Sequence, residues 1–193
     1  MKQDIILAGV GGQGILTIAA VIGNAAVNNN LYLKQSEVHG MSQRGGDVQS
    51  NLRISDKPIY SDLIAEGCAD IIIAVEPMEA LRYLPFLKKT GYVITSITPF
   101  KNIPNYPEDE DIINAIDNLP NKIAIDADKI AKEINSPRSS NIVILGAATK
   151  FLGIPVKELQ KSIKILFGRK GDEIVESNLK ALQAGYDFAN KFL

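Results

Sequence analysis

Hydrophobic positions in this chain fall into short continuous runs and longer periodic ones, and the two kinds alternate. Residues 4–8, 71–75, 92–95 and 122–125 are short, apolar and mostly β-branched, as in Ile71-Ile72-Ile73-Ala74-Val75. Runs of that length predict strands buried on both faces of a parallel sheet. Residues 31–35 predict a further strand. The longer segments predict helices. Residues 13–28 carry apolar side chains on more than one stripe, so that helix should be largely buried. Glu76-Pro77 opens a helix through Leu81, Leu84 and Leu87, with Lys88-Lys89-Thr90-Gly91 as its stop. Pro99, Pro104 and Pro107 mark an extended connector. A short helix follows the acidic run at 108–111, which complements the helix dipole better than it suits a metal. Further helices are expected over 127–134, over 141–152, from Pro155 through Leu166, and over 173–193. Residues 48–54 instead alternate with period two and predict a half-exposed strand. After the turn at 55–58, Ile59-Tyr60 is the expected start of a return strand.

This pattern predicts an α/β fold: a Rossmann-like, doubly wound, mainly parallel sheet with an inserted β-hairpin and a C-terminal helical segment. The 193 residues are expected to form a single domain over 1–193. Ligands or partners should gather at the carboxyl ends of the strands. Those ends carry three unusual stretches: residues 9–14, 37–47 and Glu76-Pro77.

The first stretch is Gly9-Val10-Gly11-Gly12-Gln13-Gly14, set between a strand and a helix. In a βαβ unit of this spacing, Gly9 permits the tight turn. Gly11 allows close approach of a ligand or another backbone. Gly14 lets the helix lie on the sheet. The helix N-terminus suits an anion, so Gly9, Gly11, Gly12, Gln13 and Gly14 are candidate anion-binding residues. The plainer alternative is that the glycines serve helix–strand packing alone. A dinucleotide site also wants an acid at the end of the second strand, and Glu37, 23 residues beyond Gly14, fits that loosely.

The second stretch, residues 36–47, is polar and glycine-rich, and it is expected to be a functional loop. It holds Glu37, His39, Gly40, Ser42, Gln43, Arg44, Gly45 and Gly46. His39 is the only histidine. It is a candidate proton-transfer group, or a residue that fixes the loop by a hydrogen bond. Arg44, with Lys34 and Arg53 expected nearby, could clamp an acidic group or pair with a partner's carboxylate.

Composition narrows the chemistry. One cysteine and one histidine cannot make a disulfide, a zinc site of Cys and His, or an iron–sulfur cluster. No metal site is expected. Cys68 reads as a small buried side chain. A net charge of −1 and 6% aromatics give no footprint for nucleic acid. No apolar run is long enough for a membrane helix, and a cytoplasmic location is expected. Arg169-Lys170 between glycines reads as a solvated turn. No catalytic triad is visible. Few groups can do chemistry, which points to a subunit that shapes a site in a larger complex.

The glycine turn, followed by Ser36-Glu37-Val38-His39-Gly40-Met41-Ser42-Gln43-Arg44-Gly45-Gly46-Asp47-Val48, resembles the gamma-type domain of 2-oxoacid:ferredoxin oxidoreductases. The likeness continues through 48–54, Ala69-Asp70, 75–82 and Asn141 to Gly146-Ala147. It spans most of the chain, but residues 96–140 are not anchored to a motif. The indolepyruvate branch of the family is the most similar. The resemblance implies oxidative decarboxylation of 2-oxoacids, aryl pyruvates in that branch, to acyl-coenzyme A with electrons passed to ferredoxin. It implies thiamine diphosphate and iron–sulfur clusters on a large alpha subunit and no cofactor bound by this chain alone. The glycine turn and the 37–46 loop would face the partner's active site or its acyl acceptor. A homodimer is a possible form of the isolated chain. Two other readings stay open: a stand-alone Rossmann-type oxidoreductase using a nicotinamide cofactor, and a nucleotide-binding scaffold module.

Overall fold

The computed structural model describes residues 1–39, 45–101 and 103–192. In chain order, β1 spans Lys2–Val10, α1 Ile15–Asn28, β2 Tyr32–His39, β3 Asp47–Ser55 and β4 Ala69–Ala74. They are followed by α2 Pro77–Arg82, β5 Leu87–Ser96, α3 Asp109–Asp117, β6 Lys122–Ile125 and α4 Ala127–Glu133. The C-terminal part is helical: α5 Ser140–Ala148, α6 Val156–Phe167 and α7 Asp172–Ala189. The strands form one mixed sheet in the order β2-β3-β1-β4-β5-β6. β1, β4, β5 and β6 pair in parallel, while β3 is antiparallel to both β1 and β2. Five of the six strands therefore point the same way, and β3 alone runs against them.

The α/β class with a mostly parallel sheet agrees with the sequence pattern, and several local expectations need correction. The hairpin partner of β3 is β2, which precedes it, and Ile59-Tyr60 belongs to no strand. β3 lies inside the sheet between β2 and β1, so it is mostly buried: its alternation separates two covered faces, with Leu52 and Ile54 on one and Asn51 on the other. The helix opened by Pro77 ends at Arg82. A 3-10 turn at Leu84–Phe86 leads directly into β5, so Lys88-Lys89-Thr90-Gly91 is strand. Leu84 and Leu87 have helical spacing, yet β5 takes the second of them because pairing with β4 begins at Ala69↔Leu87.

Two apolar layers cover the sheet. One side holds Ile5, Leu7, Leu52, Ile71 and Ile73 against α1, α5, α6 and α7. The other holds Ile6, Ala8, Ile72 and Val93 against Ile64, Ala80 and Tyr83. α5 and α7 approach closely at paired glycines. A Cβ on Gly146 would stand 2.1 Å from the Leu182 carbonyl oxygen, and one on Gly185 would stand 1.9 Å from that of Val143. That contact carries the C-terminal helices onto the sheet and places the start of α5 beside the start of α1.

At the amino end of β1, buried Asp4 receives Arg53 in a two-point ion pair, Nε–Oδ1 2.7 Å and Nη2–Oδ2 3.2 Å, with Lys2 Nζ 2.8 Å away. Arg53 also donates through Nη1 to the carbonyls of Ser61 and Leu63, each at 3.0 Å. This fastens residues 56–68, which have no regular structure, onto the sheet. Cys68, expected to be buried, is exposed at the end of that segment.

Candidate functional site

The glycine turn closes the carboxyl end of β1. Gly9 is still strand, opposite Val48, and its missing side chain makes room for a neighbour. A Cβ there would meet Val75 Cγ2 at 2.4 Å and Ile15 Cδ1 at 2.9 Å. The turn follows at Gly12 and Gly14, whose φ values of +102° and +81° favour glycine. Gly14 is also pressed against Asn141, which donates from Nδ2 to the Gly14 carbonyl at 3.1 Å. Gln13 folds back on the turn: its Oε1 accepts the Val10 N–H at 2.8 Å, and its own N–H donates to the Val10 carbonyl at 3.1 Å. The Gly11 N–H donates to the Gly46 carbonyl at 2.9 Å. The amide at the centre of the motif thus meets another backbone, and the turn and the end of the second stretch form one unit. Around Gly12 a Cβ would meet nothing within 4 Å among the described residues, so that side of the turn is open to them.

Of the second stretch, Ser36, Glu37, Val38 and His39 are the last residues of β2, not loop. The hydrophobic signal for that strand stops at Leu33, which hid the polar half from a pattern reading. Glu37 pairs with Ser50 and His39 with Val48. Gly45 has φ +78° and leads through Gly46 to β3. Gly40, Met41, Ser42, Gln43 and Arg44 lie outside the described residues, as does the His39 side chain. Arg53 and Lys34, expected beside Arg44, face each other across β2 and β3 at the level of Asp4. That level is five residues along β1 from Gly9, or roughly 17 Å at strand rise. Arg53 is fully engaged there by Asp4 and the two carbonyls.

Buried carboxylates collect at the same end of the sheet as the glycine turn. Val75 N–H donates to the Ala8 carbonyl at 3.0 Å, which brings Glu76 beside the turn. Glu76 is fully buried and caps α2, accepting the Glu79 N–H at 2.8 Å on Oε2. Its Oε1 accepts the Phe100 N–H at 3.3 Å and a short hydrogen bond from the Tyr106 hydroxyl. Burial, then the bond to Glu76, pushes the Tyr106 hydroxyl well above its ordinary range. Glu79 is also buried and holds Arg82 at 2.8 and 3.2 Å. Its own burial pushes Glu79 up, Arg82 offsets part of this, and the charges of Glu76 and Asp47 push it further. Tyr83 is raised to about 12 by burial and by Asp47, to which it is hydrogen-bonded. Asp47 is the residue paired with Val10 across the sheet, so this network runs from α2 back to the glycine turn.

The Glu-Pro pair at 76–77 with Glu79 three residues on is a readable helix start, which is the signal for Glu76. Tyr106 lies in the proline connector and had no signal. Between the network and α5 lies a crevice of about 190 Å³, with Gln13, Ser96, Thr98, Phe100, Asp128 and Asn141 in its lining. It sits at the carboxyl ends of β1, β4, β5 and β6, where open α/β sheets take ligands.

Among the described residues, no group of three His, Cys, Asp or Glu side chains is arranged to hold a metal ion, and no helix is long and apolar enough to cross a membrane.

The chain is 38% identical over 200 residues to indolepyruvate oxidoreductase subunit IorB of Archaeoglobus fulgidus, an alignment covering 98% of this chain and 96% of that protein. Two solved structures share its fold. The gamma subunit of keto/oxoacid ferredoxin oxidoreductase from Geobacter sulfurreducens superposes with a TM-score of 0.72 at 24% identity, over 98% of this chain and 99% of the other. The 2-oxoglutarate:ferredoxin oxidoreductase of Magnetococcus marinus, solved with 2-oxoglutarate, coenzyme A and succinyl-CoA bound, gives a TM-score of 0.77 at 23% identity. There the match covers 98% of this chain but 31% of a longer one, so a fold of this size recurs as part of a larger polypeptide. The family model for pyruvate ferredoxin/flavodoxin oxidoreductase matches residues 4–188, and the chain belongs to that family.

Proposed function

We propose that this chain is the small subunit of an indolepyruvate-type 2-oxoacid:ferredoxin oxidoreductase and that it works only in complex with a large subunit. The observation that carries this reading is the end-to-end match to subunit IorB at 38% identity. The reaction would be oxidative decarboxylation of an aryl pyruvate to its acyl-coenzyme A, with electrons passed to ferredoxin. Thiamine diphosphate would stabilise the carbanion and iron–sulfur clusters would carry the electrons. This chain's donor set does not fit a cluster, since a cluster takes four ligands and the chain has one cysteine and one histidine. No step is therefore placed on it. Residues 1–193 act as one gamma-type domain in a cytoplasmic complex.

The part assigned to this chain is to shape the partner's active site. The glycine turn (Gly9, Gly11, Gly12, Gln13, Gly14) and the stretch from Glu37 and His39 through Gly46 would form the facing surface. The Gly11–Gly46 hydrogen bond supports treating them as one surface, and the open side of Gly12 supports close approach by the partner or the acyl acceptor. A stand-alone nicotinamide enzyme gains no support. The central amide of its expected phosphate loop is already occupied by the Gly46 carbonyl.

The test is anaerobic co-expression with a large subunit of the indolepyruvate-type enzymes, followed by indolepyruvate-dependent reduction of ferredoxin or a viologen dye. Turnover that requires both chains is the expected result. Turnover by this chain alone with a nicotinamide cofactor would overturn the proposal.

A further inference from the structure

The two edges of the sheet differ sharply. The β6 edge is four residues long, Lys122–Ile125, with α3 and α4 immediately before and after it in the chain. The β2 edge is eight residues long, Tyr32–His39, contains no proline, and has no further strand beside it among the described residues. A long open edge offers a row of backbone donors and acceptors to another chain, and proteins usually blunt such edges. β2 carries one such blunting residue, exposed Lys34, and flanks it with two exposed apolar side chains, Tyr32 at 51% and Val38 at 54%.

These two residues share a face. Register with β3 places Leu33 and Gln35 opposite Ile54 and Leu52, on the side packed by α1. Tyr32, Lys34, Ser36 and Val38 therefore stand on the other side, where Tyr32, Lys34 and Val38 are exposed. A two-fold axis normal to the sheet reverses a strand and keeps its faces. If it passes through Gln35, Tyr32 of one copy lies opposite Val38 of the other, twice by symmetry. Lys34 then lies opposite Ser36, and Gln35 opposite itself. Cross-strand aromatic–β-branched pairs stabilise such ladders, and like charges directly opposite destabilise them. Moving the axis to Lys34 or Glu37 sets two like charges against each other. Moving it to Ser36 sets Lys34 against Val38. Of these four centres, only Gln35 matches apolar with apolar and charge with a neutral polar group on the exposed Tyr32–Val38 face; on the α1 side it sets Leu33 opposite Glu37.

We propose that β2 pairs with β2 of a second copy of this chain, antiparallel and centred on Gln35, to make one continuous twelve-stranded sheet. The occupant is a second copy, and not a strand of another protein, because the exposed face complements itself about that centre. The proposal rests on the function proposed above only where β2 ends, since Glu37 and His39 are shared with the surface assigned to the large subunit.

A cysteine on the axis tests the register. Directly opposite Cα atoms in antiparallel strands are about 4.5–5.5 Å apart, within reach of a disulfide. Gln35→Cys is made in a Cys68→Ser background, with Lys34→Cys and Ser36→Cys as register controls. Each is oxidised gently, both as the full chain alone and as the co-expressed complex. Light scattering is recorded over a concentration series. The expected result is a concentration-dependent dimer, cross-linked through position 35 at least tenfold faster than through 34 or 36. Val38→Lys, which puts a charge opposite Tyr32 at an exposed position, should shift the chain to monomer, with its thermal midpoint unchanged at concentrations where the wild type is also monomeric. The proposal is overturned by a chain that stays monomeric throughout, by equal cross-linking at the three positions, or by cross-linking of position 35 to the large subunit.

Discussion

The two ends of the sheet both bury carboxylates, and they treat them in opposite ways. At the amino end of β1, Asp4 is 1% exposed and closed off by Arg53 and Lys2. Burial alone would raise its pKa, but the hydrogen bonds and charges of those two cations outweigh it and hold Asp4 below the ordinary range. At the glycine end, Glu79 is equally buried, yet burial prevails over Arg82, and Glu76 and Asp47 add repulsion. Glu76 itself is held by two N–H groups and a tyrosine hydroxyl. One end is a clamp whose charges are matched. The other is a cluster of acids assembled beside the surface proposed to meet the partner. Buried ionised groups kept without full compensation are more common at working sites than in scaffolding.

The largest expected effect comes from breaking the clamp. Arg53→Ala leaves Asp4 buried with only Lys2 and releases the carbonyls of Ser61 and Leu63. Removing one partner of a buried pair costs about 3 kcal/mol or more. The urea midpoint should fall accordingly, while the complex assembled from still-folded protein keeps its turnover. Loss of turnover beyond the folded fraction would show that the two ends are not separable.

Next in size is Tyr106→Phe, which removes the hydroxyl donor from Glu76 at the other end. A hydrogen bond to a charged group contributes about 1.5–3 kcal/mol, and the lower figure is expected because the Phe100 and Glu79 amides remain. Faster amide exchange or proteolysis confined to residues 97–108 would identify the bond as the tie that holds the proline connector down. Uniformly faster exchange would make Tyr106 an ordinary core contact.

Gly12→Ala should cost less still. No atom of the described residues lies within 4 Å of the added methyl, so the expected penalty is that of the left-handed backbone, about 1–2 kcal/mol. Its effect on assembly or turnover should exceed its effect on stability, because the methyl projects from the open side of the turn. Equal small losses in both would remove Gly12 from the facing surface.

The same contrast explains what the sequence could reveal. Residues 122–125 are strand β6 with the expected bounds, because a short β-branched run between polar breaks has one reading. The glycine turn was visible for a similar reason: its constraints are local, set by φ at Gly12 and Gly14 and by contact at Gly9. The α2–β5 boundary was not visible. Leu81, Leu84 and Leu87 keep helical spacing across a point where pairing with Ala69 decides the outcome. The partner of β3 was missed because the second half of β2, Ser36–His39, is polar apart from Val38 and its strand character comes from the register with residues 48–51. Glu76–Tyr106 and Asp4–Arg53 join residues 30 and 49 positions apart, and no periodicity encodes such pairs.

The smallest effect, and the one that separates the two ends most cleanly, is in the pH dependence of stability. A carboxylate held below its unfolded value contributes stability that is complete above that value and is lost as pH falls through the native one. Asp4, with an ordinary value of 3.8, is of this kind. A carboxylate held above its unfolded value does the reverse: its contribution is complete below the unfolded value and is lost as pH rises through the native one. Glu79, with an ordinary value of 4.5, is of that kind. Acidification from neutral pH should therefore first relieve the glycine end and only later loosen the clamp. Stability of the wild type relative to Glu79→Gln should rise as pH falls toward 4.5, while stability relative to Asp4→Asn should stay level there and decline only below 3.8. Denaturant titrations of the three proteins across that range decide it. A flat difference for Glu79→Gln would mean that Arg82 neutralises Glu79 as fully as Arg53 and Lys2 neutralise Asp4, and the glycine end would then be a second clamp rather than a cluster of strained acids.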